Sequence, residues 1–151
     1  MAGKGQKHEG QRVVAIAVDD SEFSEQALDF YAANAKRDDD YVVLIHCPEL
    51  YDLSMASPAV VDQLMRELQA KVEALENKYK ERIQNINLCG KFRTGQGKPG
   101  EIICRVAQEE DATMIICGTR GLGKIRRTIM GSVSDYVIHH SHVPVLVCRH
   151  N

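Results

Sequence analysis

Apolar residues fall along this chain in two rhythms. Unbroken runs of five to seven residues alternate with longer stretches in which apolar residues step by three and four. Val13 to Val18, Tyr41 to Cys47, Thr113 to Cys117 and Val143 to Cys148 are runs of the first kind. They read as strands buried on both faces. Leu88 to Thr94 is a weaker strand whose polar members predict partial exposure. Between the runs lie helical patterns. Ser21 or Ser24 caps the first helix, with Ala27, Leu28, Tyr31 and Ala35 on its inner face. Residues 48 to 58 read as irregular. Val61, Leu64, Met65, Leu68, Val72, Leu75, Tyr79, Ile83 and Ile86 then predict a helix of about eight turns with one face buried. A coiled-coil arm is the alternative for this segment. Pro99 suits the first turn of a third helix carrying Ile102, Ile103, Val106 and Ala107. Ser132 to His140 is the fourth helix.

Strands alternating with helices imply an α/β fold with a parallel sheet covered on both faces. The expected architecture is a single-domain, doubly wound, five-stranded parallel sheet in the order 3-2-1-4-5. Residues 1–10 form a loose leader and residues 11–150 the domain. In such sheets ligands bind beyond the carboxyl ends of strands, where the strand order reverses. The ends of strands 1, 2 and 4, at Asp19, Cys47 and Gly118, would then converge on one crevice.

Composition narrows the function classes. The net charge is −2, so any basic site must be local. Trp is absent and aromatics make up 5%, which argues against a nucleic-acid partner that stacks bases. No apolar run approaches the ~20 residues of a membrane span, and the first ten residues lack the apolar core of a signal peptide. Five cysteines without a Cys-x-x-Cys spacing read as reduced thiols in a cytoplasmic protein.

The chemistry concentrates after strand 4. Gly118 and Gly121 are free to take positive φ and allow close approach, and Gly131 does so at the entry of the fourth helix. Ser132 is the natural cap of that helix, and its hydroxyl, with that of Ser134, can reach a phosphate. Arg120, Lys124, Arg126 and Arg127 put four cations within eight residues. A strand, a glycine-rich basic loop and a helix N-terminus together make an anion site. The bland alternative is a basic surface loop with capping glycines. A P-loop is excluded because Ile125 stands where the metal-binding Ser or Thr belongs. A dinucleotide fingerprint is excluded because position 126 is Arg. His139, His140 and His142 lack a completing ligand for a metal site. The adjacent carboxylates Asp19 and Asp20 point apart, so no acid–base pair is assigned, and no catalytic residue is named.

Gly118, Gly121, Gly131 and Ser132 stand in the spacing Gly, two residues, Gly, nine residues, Gly, Ser. This resembles the nucleotide motif of the universal stress protein family. Ala-Val-Asp-Asp-Ser after strand 1, the Gly97-x-Pro99-x-Glu101-Ile102 helix entry and the Val-Pro-Val-Leu-Val ending are similar too. The resemblance spans almost the whole chain. It implies a site for ATP, or for ADP or AMP, with Mg²⁺ held by the phosphates. Asp19 would sit by the adenosine, with Ala17 and Cys47 lining it. Cys117, Gly118, Arg120 and Gly121 would wrap ribose and phosphates. Gly131, Ser132, Val133 and Ser134 would hold the phosphates at the helix start, and Arg127 is counted with them. The resemblance also implies a homodimer through the last strand, Val143 to Cys148. The expected function is an ATP-binding module in stress regulation. A slow ATP hydrolase and a chaperone-like, partner-binding dimer are the alternatives.

Overall fold

The protein is described by a computed structural model that covers residues 9–49, 52–119 and 131–149. Most of the leader and the basic loop from Arg120 to Met130 lie outside the described residues. Five strands run β1 (Val13–Ala17), β2 (Tyr41–His46), β3 (Cys89–Thr94), β4 (Met114–Gly118) and β5 (Val145–Cys148). Four helices alternate with them: α1 (Glu22–Asn34), α2 (Pro58–Asn85), α3 (Pro99–Glu109) and α4 (Ser132–His140). The sheet is parallel throughout, in the order β3-β2-β1-β4-β5. β1 therefore has β2 on one side and β4 on the other, which is the reversal of strand order expected from the sequence.

Period-2 alternation sorts the strand side chains onto two cores. Val14, Ile16, Val42 and Leu44 pack with Ala27, Leu28 and Tyr31 of α1 and with Leu75, Tyr79 and Ile83 of α2. Val13, Ala15, Val43 and Ile45 pack with Ile102, Ile103 and Val106 of α3 and Val137 of α4. A helix pair thus covers each face, and the cleft between the pairs opens where the strands end.

The two edges differ in chemistry. On β3, Arg93 bonds Glu109 at 2.7 Å and Glu110 at 2.8 Å, and Lys91 reaches Glu110 at 2.6 Å. Charged edges resist edge-to-edge pairing. Val145, Leu146 and Val147 on β5 are apolar and half-buried.

Three expectations about the elements need correction. The segment 48 to 58 is not irregular to its end, because Pro58 already occupies the first turn of α2, capped by Ser57. The long helix does not bury a continuous face either. Only Leu75, Tyr79 and Ile83 are buried, whereas Val60 and Met65 are 45% and 47% exposed. At about 1.5 Å per residue the 28 residues of α2 run ~42 Å, twice the reach of a six-residue strand, so half the helix has no sheet beneath it. Finally, β5 begins at Val145, not Val143. Pro144 has no N–H to give the ladder, and its carbonyl accepts from Ile115 at 3.0 Å before regular pairing starts.

Candidate functional site

The floor of the cleft is the turn that joins β1 to α1. Asp19 Oδ1 accepts from the Ser21 N–H at 2.9 Å and from the Ser21 hydroxyl. Ser21 in turn caps α1 by accepting from the Ser24 N–H at 3.4 Å. The acids Glu22 and Glu25 fall in the first turn, where the helix end is positive. Ser24 Oγ accepts from the Asp19 N–H at 3.2 Å and lies 2.5 Å from the Tyr79 hydroxyl of α2. Burial pushes the Tyr79 phenol up to about 12, so it stays a neutral hydroxyl at any working pH. One oxygen of Asp19 thus holds the turn. No hydrogen bond within the described residues uses its second oxygen, Oδ2.

Around this floor the strand ends enclose a cavity of about 520 Å³. That lies within the range of small-molecule sites, roughly 300–1,000 Å³. Ala17 and Asp19 come from the end of β1, Cys47 from the end of β2, Cys117 and Gly118 from β4, and Val133 and Ser134 from the start of α4. Seven residues chosen from the sequence therefore line one cavity. Gly131 and Ser132 stand at the α4 terminus without lining it. Arg120, Gly121 and Arg127 lie outside the described residues.

The roles of several of these residues differ from expectation. Gly131, not Ser132, is the cap of α4; it is extended at φ −63° and ψ 158° and offers no side chain, while Ser132 is the first helical residue and is exposed. The helix N-terminus is therefore left without a side-chain cap, with backbone N–H groups to offer a ligand. Ser134 is 2% exposed, and its hydroxyl lies 3.0 Å from both the Thr119 and the Gly131 carbonyl oxygens. Its proton is committed to pinning the two ends of the basic loop, and the Gly131 N–H adds a 2.6 Å bond to Thr119. Gly118 is needed for close approach, not for positive φ: a Cβ there would stand 2.8 Å from the Phe23 carbonyl oxygen of α1. Among the described residues near the cleft, Gly97, at φ +136°, is the glycine that requires its conformational freedom. Its carbonyl accepts from the Cys47 thiol at 3.3 Å.

Cys117 is buried, and burial pushes its thiol up to about 12. A thiol so hard to ionise is a poor nucleophile, and this residue serves as an apolar wall. Two of the C-terminal histidines are engaged locally. His140 stacks on Tyr136 with ring centroids 3.9 Å apart, and His139 approaches Asp135 at 3.4 Å. Among the described residues no group of three or more His, Cys, Asp or Glu side chains is placed to hold a metal ion. Nor is any helix there long and apolar enough to cross a membrane.

Sequence reasoning missed one wall altogether. Leu68, Lys71, Val72, Leu75 and Lys78 of α2 line the cavity, as do His46 at the end of β2 and Pro48 and Glu49 beyond it. His46 is held by a 2.8 Å contact between its Nδ1 and the Val18 carbonyl oxygen. The helical period of α2 was legible, but a period does not say whether a face meets a sheet or a cavity.

Comparison with known proteins agrees with this fold. The model of the universal stress protein family matches residues 11–149. A relative from Staphylococcus aureus (strain USA300) is 33% identical over 139 residues, covering 90% of this chain and 82% of the relative. The solved structure of hypothetical protein MJ0577 aligns with a TM-score of 0.78 at 25% identity, over 93% of this chain and 96% of the other. A universal stress protein family protein from Arabidopsis thaliana, solved with AMP bound, aligns with a TM-score of 0.69 at 20% identity, over 93% of this chain and 92% of its own. With the sheet order, the cleft and the family model in agreement, this chain belongs to the universal stress protein family.

Proposed function

We propose that this protein is an adenine-nucleotide-binding regulatory module that takes ATP, ADP or AMP in the cleft between the two helix pairs. The observation that carries this reading is the 520 Å³ cavity, which gathers Ala17, Asp19, Cys47, Cys117, Gly118, Val133 and Ser134. The donor set fits a nucleotide. Ala17, Ile45, Cys47 and Ile103 offer apolar walls for a base. Asp19 Oδ2 is an acceptor for a ribose or base donor. The uncapped α4 terminus suits phosphate oxygens, and any Mg²⁺ is carried by the phosphates themselves. The AMP bound by the Arabidopsis protein supports the same ligand class. The role is binding rather than catalysis, in a cytoplasmic stress response. The assembly is a homodimer paired through the apolar edge from Val143 to Cys148, since the opposite edge is charged.

A nucleotide at a hundred times its Kd stabilises the fold by about 2.7 kcal/mol, so melting in the presence of ATP, ADP and AMP is the direct test. Gly131→Val places a branched side chain at the α4 entry and should abolish the shift while the unliganded melting temperature changes little. A wild-type protein whose melting none of the three nucleotides moves would end this reading.

A further inference from the structure

Two cations line the cavity from α2, and they are not equivalent. Lys78 is committed: its ammonium pairs with Glu25, which also meets Arg82, and Arg82 reaches on to Asp29. Lys71 is two turns earlier on the same helix and takes part in no ion pair or hydrogen bond among the described residues. Three acids, Asp19, Asp20 and Glu49, line the same cavity. An anionic ligand entering it meets carboxylates, and Lys71 is the one described lining cation with no partner of its own to give up. The position of Lys71 follows from the overhang of α2. Leu75 and Tyr79 anchor the helix to the sheet, and the turns before them rise past the strand ends to wall the cleft. Leu68 and Val72 present apolar surface to the same space.

We infer that the overhanging part of α2 is a binding wall of the nucleotide site, and that Lys71 supplies it with a cation that engages the ligand's charged phosphate moiety. The inference rests on the nucleotide reading above. It assigns to α2 a part in selecting phosphorylated over unphosphorylated adenine compounds. An exposed lysine on a four-carbon stem is suited to this, because it moves to its ligand without rebuilding the fold.

Isothermal titration of the full chain with adenosine, AMP and ATP at two salt concentrations tests it. Lys71→Ala should weaken ATP about tenfold, the scale of a charge-assisted contact, and leave adenosine unchanged. The salt dependence of ATP binding should also diminish. Lys80→Ala removes a cation from the outer face of the same helix and serves as the control; it should change neither ligand. Equal affinity of wild type and Lys71→Ala for ATP would overturn the role of Lys71, as would an equal loss for adenosine and ATP. If wild type binds none of the three, the nucleotide reading fails first and this inference with it.

Discussion

The two ends of one sheet solve opposite problems with a carboxylate. At the amino ends of the strands Asp40 is 1% exposed and every contact is filled. Arg12 reaches it with two nitrogens, at 2.7 and 2.6 Å, the Tyr31 hydroxyl donates at 2.5 Å and the Arg37 N–H at 2.9 Å. At the carboxyl ends Asp19 uses one oxygen to hold a turn, and its other oxygen accepts no hydrogen bond among the described residues that line the cavity. Saturation at one end closes the fold; under-use at the other leaves chemistry for a ligand. Carboxylate content alone therefore does not mark a site. The sites are distinguished by how many of their lone pairs the protein has already spent.

The largest break of this contrast is Asp40→Ala. It strands a half-buried guanidinium and a buried phenol, and should cost about 3 kcal/mol in urea unfolding. Nucleotide affinity of the folded fraction should be unchanged, since Asp40 does not line the cavity. Acid titration of stability should give the next largest effect. Burial alone would raise the Asp40 pKa, but hydrogen bonds from Arg12, Tyr31 and the Arg37 backbone, with the Arg12 charge, hold it below the usual carboxylate range. The unfolded chain therefore takes up this proton first as pH falls. The stabilisation is complete above the ordinary carboxylate pKa of about 4 and drains away below it. Circular dichroism melts between pH 7 and 3 should show the decline, and Asp40→Asn should flatten it. The smallest effect on stability belongs to the other end. Asp19→Ala should cost about 1 kcal/mol for the turn bonds to Ser21, yet remove most of the nucleotide-dependent rise in melting temperature. A variant that melts like wild type and still responds fully to ATP would erase the distinction between the two ends.

The chain disclosed its fold more readily than its site, for a physical reason. Strands buried on both faces must be continuous apolar runs, so Val13 to Ala17 and Tyr41 to His46 announce themselves. The glycine spacing likewise led to the end of β4, where Cys117 and Gly118 line the cavity. What a linear pattern cannot report is what lies opposite. Leu68 and Val72 carry the same helical period as Tyr79 and Ile83, but the first pair faces a cavity and the second a sheet. Gly118 was legible as a residue that must lack a Cβ, whereas its cause, the Phe23 backbone, sits 95 positions earlier in the chain and comes into contact only through the sheet order. Ser132 and Gly131 exchanged the cap role by one position, the scale on which helix ends resist sequence reading.

The hydroxyl of Ser24 has one further consequence. It touches the Asp19 backbone on the cavity floor and the Tyr79 phenol of the helix that walls the cavity, and so bridges α1 and α2. Floor and wall are thus joined through this hydroxyl as well as through the Glu25–Lys78 pair. Free energy gained by steadying either one is read out at the other, with equal strength in both directions, as linkage requires. A helix whose start lies ~32 Å from such a joint acts as a long pointer on a short pivot.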